Sequence, residues 1–163
     1  MSNNQDIILG IDPGLVKTGW GIVRKSKDQI EYISCGVVKT NSSDKMEKRL
    51  VAIYDFISEL IANFSPNSVA MEQVFVNMNP KSTQKLIMAR SVAFLAIAKS
   101  GHTVFEYTPN EIKKNVTGSG HASKQQIDTM VQKILKVEIK KNENSITPDS
   151  IDALSTAICH SFC

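Results

Sequence analysis

The chain of 163 residues has few of the side chains that build covalent or soft-metal sites. It contains three cysteines and three histidines, and none of them has the spacing of a zinc ligand set. Cys35, Cys159 and Cys163 therefore predict reduced thiols in a cytoplasmic protein. No apolar run approaches the length of a membrane span, and residues 2–6 lack the basic stretch of a signal peptide. We expect no membrane contact.

The length of the chain suits one hydrophobic core, so a single domain over residues 1–163 is expected. Apolar spacing and turn residues predict ten elements along it. Five strands are predicted over residues 7–12, 19–25, 30–40, 69–72 and 103–107. Helices are predicted over residues 44–64, 82–100 and 123–137, with a short one opening at Pro109 and a last one beginning at Pro148. This order predicts a mixed α/β sandwich with a five-stranded sheet flanked by helices.

Net charge is only +3, but the basic residues are concentrated in one part of the chain. Residues 80–141 hold eleven Lys and Arg against four Asp and Glu, whereas residues 142–163 hold no Lys or Arg. A basic surface beside an acidic cleft is typical of metal-dependent chemistry on a polyanion. Ordinary solvated helix faces are the alternative. Lys113, Lys114 and Lys124 are the candidates for phosphate contacts.

Four carboxylates stand where the predicted elements could bring them together. Asp12 follows a buried strand and precedes a Pro-Gly turn, and Glu72 ends the fourth strand. Asp149 and Asp152 fall in the first turn of the last helix and one turn further on. Each residue alone could be an ordinary turn or helix-start acid. If the first and fourth strands are neighbours, however, all four can converge on one cleft.

A cluster of carboxylates without His or Cys selects hard cations, so Mg²⁺ is expected and Mn²⁺ is a substitute. Two such ions about 4 Å apart would support in-line hydrolysis of a phosphodiester. The sequence therefore predicts a metal-dependent nuclease site.

Four segments together resemble the bacterial RuvC Holliday-junction resolvases, and the resemblance covers nearly the whole chain in the right order. The segments are Gly10 to Gly14, Met71 to Phe75, Lys113 to Lys124 with its Gly118-x-Gly120 loop, and Asp149 to Leu154. The resemblance implies a ribonuclease H-like fold and a homodimer that cleaves four-way junction DNA. It also implies a partnership with the RuvA and RuvB branch-migration proteins.

Residue by residue, the resemblance assigns Mg²⁺ binding to Asp12, Glu72, Asp149 and Asp152. It assigns functional roles to Lys113 and Lys124, and a contact near the junction to Phe75. For Lys124 the alternative is a solvated lysine in the first turn of a helix, and for Phe75 it is a core residue at a strand end.

The expected function is a structure-selective endonuclease that resolves Holliday junctions in recombination and DNA repair. It would make symmetric nicks and leave 5′-phosphates. The alternatives are another ribonuclease H-like nuclease and a non-catalytic junction-binding module. A proofreading exonuclease fits poorly. Such an enzyme normally needs a second acidic residue two positions after the first, and that position is Gly14 in this chain. An actin-like ATPase lobe with a phosphate loop at Asp12 to Gly19 needs two lobes, for which the chain is too short.

The helix predicted over residues 82–100 is apolar on most of its faces and so needs cover on both sides. A twofold-related subunit is one explanation, because a four-way junction is itself roughly twofold. The other explanation is that the helix predicted over residues 44–64 covers it.

Overall fold

The computed structural model describes residues 5–27, 29–74, 79–137 and 146–163. The strands in these residues are β1 (Asp6–Asp12), β2 (Lys17–Lys25), β3 (Ile30–Lys39), β4 (Ser68–Glu72) and β5 (Val104–Tyr107). The helices are α1 (Met46–Phe64), α2 (Pro80–Lys99), α3 (Pro109–Thr117), α4 (Lys124–Leu135) and α5 (Pro148–Ser161). All ten elements lie where the sequence predicts them, with small differences at their ends.

The five strands form one mixed sheet in the order β3-β2-β1-β4-β5. Strand β1 is antiparallel to β2 and parallel to β4, so it occupies the centre of the sheet. Strands β2 and β3 are antiparallel, and β4 and β5 are parallel. The predicted five-stranded mixed sheet is confirmed, and so is the neighbourhood of the first and fourth strands.

Alternation along β1 decides which side of the sheet each of its side chains meets. Leu9 and Ile11 pack into a core formed with α1 and α2. Ile8 packs into a second core, formed with α3, α4 and α5. By the same alternation, Asp12 lies on the Ile8 side, which is the side that α5 covers.

Helix α5 lies close against β1 and β2 because glycines face it. A Cβ at Gly10 would be 2.0 Å from the backbone oxygen of Ala153, and one at Gly19 would be 2.1 Å from that of Asp149. Any larger residue would push the helix away from the sheet. The glycines therefore fix the first turn of α5 beside the end of β1.

Helix α2 is covered on one side. Its buried residues include Ala89, Ala93 and Ala96, which share a core with α1 and the sheet. Ile87 is 46% exposed and Leu95 is 54% exposed, so the opposite side is open among the residues that the structure describes. Although α2 is 20 residues long, no helix in the described ranges has the length and apolarity to cross a membrane.

Candidate active site

Asp12 and Glu72 lie side by side at the carboxyl ends of two parallel strands. Strands β1 and β4 pair in a constant register that joins Ile8 to Ser68 and Ile11 to Met71. One further step of this register places Asp12 opposite Glu72, on strands about 4.8 Å apart. Both side chains are half-buried on the side of the sheet that α5 covers. The structure therefore confirms that the ends of the first and fourth strands lie side by side.

The acidic pair of α5 is held by a capped helix start. The Thr147 side chain accepts a hydrogen bond from the backbone N–H of Ser150, and Pro148 occupies the first helical turn. The predicted N-cap is thus confirmed. Asp149 follows within the first turn and Asp152 lies one turn further on. Both are half-buried above the ends of the central strands.

The carboxylates influence one another electrostatically, and Asp12 is the most affected. Burial, followed by the charges of Asp152, Glu72 and Asp149, raises the pKa of Asp12 to about 7. Burial and the charge of Asp152 also raise the pKa of Glu72, against the opposing charge of Lys113. Neighbouring positive charge, whether a bound cation or a proton, would relieve this repulsion.

Two lysines are drawn to the acidic pair. The Nζ of Lys124 donates to Oδ2 of Asp152 at 2.9 Å, and this hydrogen bond raises the pKa of the lysine. The Nζ of Lys17 lies 3.9 Å from Oδ2 of Asp149. Lys124 is the first residue of α4, directly after the N-cap Ser123, so a capped helix start also presents this side chain.

A cleft of about 240 Å³ lies beside these groups. Of the four carboxylates, Glu72 and Asp152 line it, together with Lys113 and Lys124. A larger cavity of about 690 Å³ lies between the β2–β3 hairpin and the end of α4, away from the acidic residues. Size alone therefore does not identify the site. Lys114 is exposed on α3, one residue beyond Lys113.

The acidic set suits a hard divalent cation by its chemistry, because all four donors are carboxylate oxygens. Within the described residues, however, no three His, Cys, Asp or Glu side chains lie close enough to hold one ion together. Lys124 pairs with Asp152, and Lys17 faces Asp149. To gather the donors, the side chains of Asp149 and Asp152 would have to turn away from these lysines.

One sequence prediction, for Phe75, and one rejected alternative, the phosphate loop, have separate outcomes. Phe75, predicted to contact DNA, lies outside the described residues, so its role stays a prediction. The phosphate loop of the ATPase alternative is not available, because the Thr18 hydroxyl donates to the backbone oxygen of Gly14 at 2.8 Å and accepts from the backbone N–H of Gly14. Thr18 is 1% exposed, so these polar groups serve the turn itself.

The structure adds two residues that the sequence analysis did not select. Lys17 gave no signal, because a lysine after a turn is ordinary. Arg90 donates from Nη1 to the backbone oxygen of Glu72 at 2.5 Å and pairs with the Glu106 carboxylate. Its signal was available, since it is the only charged residue among residues 86–98 of an apolar helix.

The mixed sheet, the carboxylates at adjacent strand ends and the acidic helix that crosses them define the class of metal-dependent nucleases. The chain also matches the family model described as Crossover junction endodeoxyribonuclease RuvC over residues 8–160. It belongs to the RuvC family, as the sequence resemblance predicted.

Curated relatives and solved structures agree with this assignment. The RuvC of Paramagnetospirillum magneticum is 44% identical over 153 residues, which is 94% of this chain and 89% of that protein. The RuvC of Ehrlichia canis is 43% identical over 155 residues, covering 95% and 96% of the two chains.

Among solved structures, Thermus thermophilus RuvC in complex with a Holliday junction substrate superposes with a TM-score of 0.88 at 29% identity. The match covers 96% of this chain and 93% of that one. The yeast mitochondrial Holliday junction resolvase Ydc2 has a TM-score of 0.68 at 13% identity over 95% of this chain and 80% of its own, a likeness of fold alone. The predicted ribonuclease H-like fold is confirmed.

Proposed function

We propose that this protein is a Mg²⁺-dependent endonuclease that resolves Holliday junctions by paired, symmetric nicks and leaves 5′-phosphates. The observation that carries the proposal is the placement of Asp12 beside Glu72, under the acidic pair of α5, in a chain of the RuvC family. A non-catalytic junction-binding module would have no use for half-buried carboxylates that repel one another, because each of them costs folding free energy.

The residues that would hold the metal are Asp12, Glu72, Asp149 and Asp152. The four carboxylates suit two Mg²⁺ ions in each subunit, with Mn²⁺ as a substitute. When bound there, such ions would supply the Lewis acidity that phosphodiester hydrolysis needs. Asp12 would be the central donor of this set, because the charges of all three other carboxylates act on it.

The lysines would hold the substrate. The Lys124 side chain is 58% exposed, so its ammonium can leave Asp152 and reach a phosphate oxygen. Lys113 lines the same cleft, and Lys114 extends the basic surface outside it. Contact of Phe75 with an unpaired base remains part of the proposal without support from the described residues.

A homodimer would bring two such sites to one junction. The open side of α2 carries Ile87 and Leu95, with Met88 and Phe94 half-buried beside them. A second copy of this chain is the occupant that fits, because the helix would meet its own twofold mate and the substrate needs two equivalent nicks. Partnership with RuvA and RuvB is carried over from the family resemblance. The single domain over residues 1–163 and the cytoplasmic location also stay predictions.

The test is a gel assay on a mobile four-way junction with and without Mg²⁺, in which binding and nicking are measured on the same DNA. The wild type should yield two nicked duplexes only with the metal. Asp12→Asn and Glu72→Gln should bind the junction and fail to nick it, with rates lower by about a thousandfold or more, because each change removes a ligand charge and keeps the shape.

Asp6→Asn is the matched control, since Asp6 lies on the same strand at the opposite end of the sheet. It should leave the nicking rate unchanged. Metal-independent binding by a wild type that never nicks would support the binding-module alternative. Cleavage of linear RNA–DNA hybrids in preference to junctions would support another ribonuclease H-like nuclease.

A further inference from the structure

The last backbone carbonyl of β4 lacks the donor that a regular sheet would supply. Gln73 donates its backbone N–H to Tyr107 of β5 at 2.8 Å. Because successive residues of a strand bond to alternate neighbours, the backbone groups of Glu72 face β1. In the register that joins Ile11 to Met71, the donor for the Glu72 carbonyl would be the N–H of residue 13. That residue is Pro13, which has no N–H.

Arg90 supplies the missing donor from the opposite side of the sheet. Its Nη1 donates to the Glu72 carbonyl at 2.5 Å, and its Nη2 pairs with the Glu106 carboxylate on β5. The guanidinium also lies over the ring of Phe94, 5.1 Å from the ring centre. The Arg90 side chain is only 13% exposed, so water does not compete strongly for these bonds.

We infer that Arg90 is a positioning residue for Glu72: it replaces the N–H that Pro13 cannot donate and fixes the strand end that carries the Glu72 carboxylate. The inference rests on the proposed role of Glu72 as a metal ligand. One planar side chain binds α2, the end of β4 and β5 together. Lysine cannot reproduce this contact, because a single ammonium lacks the fork that reaches two acceptors in fixed directions.

At the end of β4, the two sides of the strand have different roles. The Glu72 side chain points towards α5 and the cleft, while its backbone is held from the α2 side by Arg90. A shift of α2 relative to β4 would therefore act on Glu72 through Arg90, whereas Asp12, Asp149 and Asp152 lie on other elements. Partners that orient metal ligands in this indirect way typically change metal affinity by about 10-fold to 100-fold when they are removed.

The experiment measures Mn²⁺ binding to the full chain by the EPR signal of the unbound ion, together with single-turnover nicking of a four-way junction across Mg²⁺ concentrations. Arg90→Met should weaken Mn²⁺ binding by about tenfold and raise the Mg²⁺ requirement for nicking by a similar factor. Junction binding in EDTA should stay within about twofold of the wild type, because Arg90 does not face the cleft. Arg90→Lys should recover only part of the loss.

Two further variants provide a control and a second test of the role of Arg90. Arg24→Met is the matched control, because it breaks the exposed Arg24–Glu31 pair on β2 and β3 and should leave Mn²⁺ binding unchanged. Glu106→Gln keeps the shape of the acceptor and removes its charge, so it should weaken Mn²⁺ binding by about threefold through a looser Arg90. It also keeps the test open if Arg90→Met fails to fold, as judged by circular dichroism.

Glu72→Gln is the reference that shows whether Mn²⁺ binds through Glu72. A wild type that binds Mn²⁺ through Glu72, together with folded Arg90 and Glu106 variants of equal affinity, would overturn the role of Arg90 and leave the proposed function standing. A wild type that neither binds Mn²⁺ nor nicks junctions would overturn the proposed function, and the role of Arg90 with it.

Discussion

Helices α5 and α2 are both rich in apolar and small residues, yet the fold treats them differently. In α5, ten of the fourteen residues are buried, including polar Ser150, Ser155 and Thr156. In α2, five of the twenty residues are buried, and Ile87 and Leu95 remain exposed. The reason is position: α5 crosses the central strands and is flanked by α3 and α4, whereas α2 packs on α1 and one side of the sheet.

The difference separates two uses of an apolar helix. Helix α5 is covered by its own chain and carries half-buried carboxylates in its first two turns, so its packing positions the candidate site. Helix α2 keeps an apolar side open, which under the proposed function serves a second copy of the chain. Apolar content therefore indicates that a helix needs cover, and only the tertiary arrangement tells whether its own chain supplies it.

The difference in burial between α5 and α2 can be tested by placing a carboxylate on each helix in turn. Leu154→Asp on α5 should unfold the protein, because Leu154 is 1% exposed and a carboxylate there would be buried without a partner. We expect a loss of about 4 kcal/mol or more in the free energy of unfolding, measured by urea denaturation. A folded Leu154→Asp variant with near-normal stability would contradict the packing described for α5.

The matching change on α2 should leave a folded chain and separate the dimer. Leu95→Asp would place an unpaired charge in the proposed contact and weaken dimerisation by about a hundredfold or more, with paired nicks replaced by single ones. Sedimentation equilibrium measures the mass. Val51→Asp is the control, because Val51 is similarly exposed but lies on α1. A wild-type monomer that nicks both strands symmetrically would remove α2 from the function.

The charged end of α5 can be tested through the pH dependence of stability. The folded-state pKa of Asp12 is about 7, above its ordinary value of 3.8, so the folded chain holds a proton that the unfolded chain releases between these values. The stability of the wild type should therefore fall as pH rises through this window.

Asp12→Asn removes this loss of stability. In EDTA the variant should be more stable than the wild type at pH 8, by up to about 4 kcal/mol, with the gain shrinking towards zero near pH 4. Thermal unfolding across pH measures the difference. Equal stability at pH 8 would mean that Asp12 is not crowded by its neighbours. Added Mg²⁺ should stabilise the wild type and not the variant.

The smallest expected effect concerns the basic side chains beside the start of α5. Replacing Lys113, Lys114 and Lys124 by Ala should reduce the log–log salt slope of junction binding by about one unit for each lysine that touches a phosphate. Lys124→Ala should also slow single-turnover nicking at saturating protein. Lys48→Ala is the control, because Lys48 lies on α1 and pairs with Asp44. It should leave the slope unchanged. An unchanged slope in the triple variant would show that these lysines do not contact phosphates and form an ordinary solvated surface.

Much of the fold could be predicted because local patterns and tertiary packing agree. The strands end at Pro-Gly and polar turns, and Thr147-Pro148 marks a helix start that the structure confirms. The ends of elements were less certain, because backbone pairing beyond the last apolar residue decides them. Strand β2, for example, begins at Lys17 rather than Gly19, since Lys17 still pairs with Lys39 of β3.

The four carboxylates of the candidate site could be predicted from the sequence, but the basic side chains that contact this region could be predicted only in part. Asp12, Glu72 and the acidic pair of α5 were selected from the sequence, whereas Lys17 and Arg90 were not. Arg90 acts on a backbone carbonyl from the other side of the sheet, and the need for it appears only when Pro13 is seen opposite Glu72. A local sequence pattern does not show which residues of two strands lie opposite each other.

The sequence by itself determined the elements, the presence of four carboxylates at their ends, and the family. These features depend on local spacing, on turn and cap chemistry, and on the order of motifs along the chain. The tertiary structure alone decided that Asp12 and Glu72 share one face, that glycines bring α5 down onto them, and that α2 keeps one side open. Each of these depends on strand register and on the distance between layers, which are set by residues far apart in the chain.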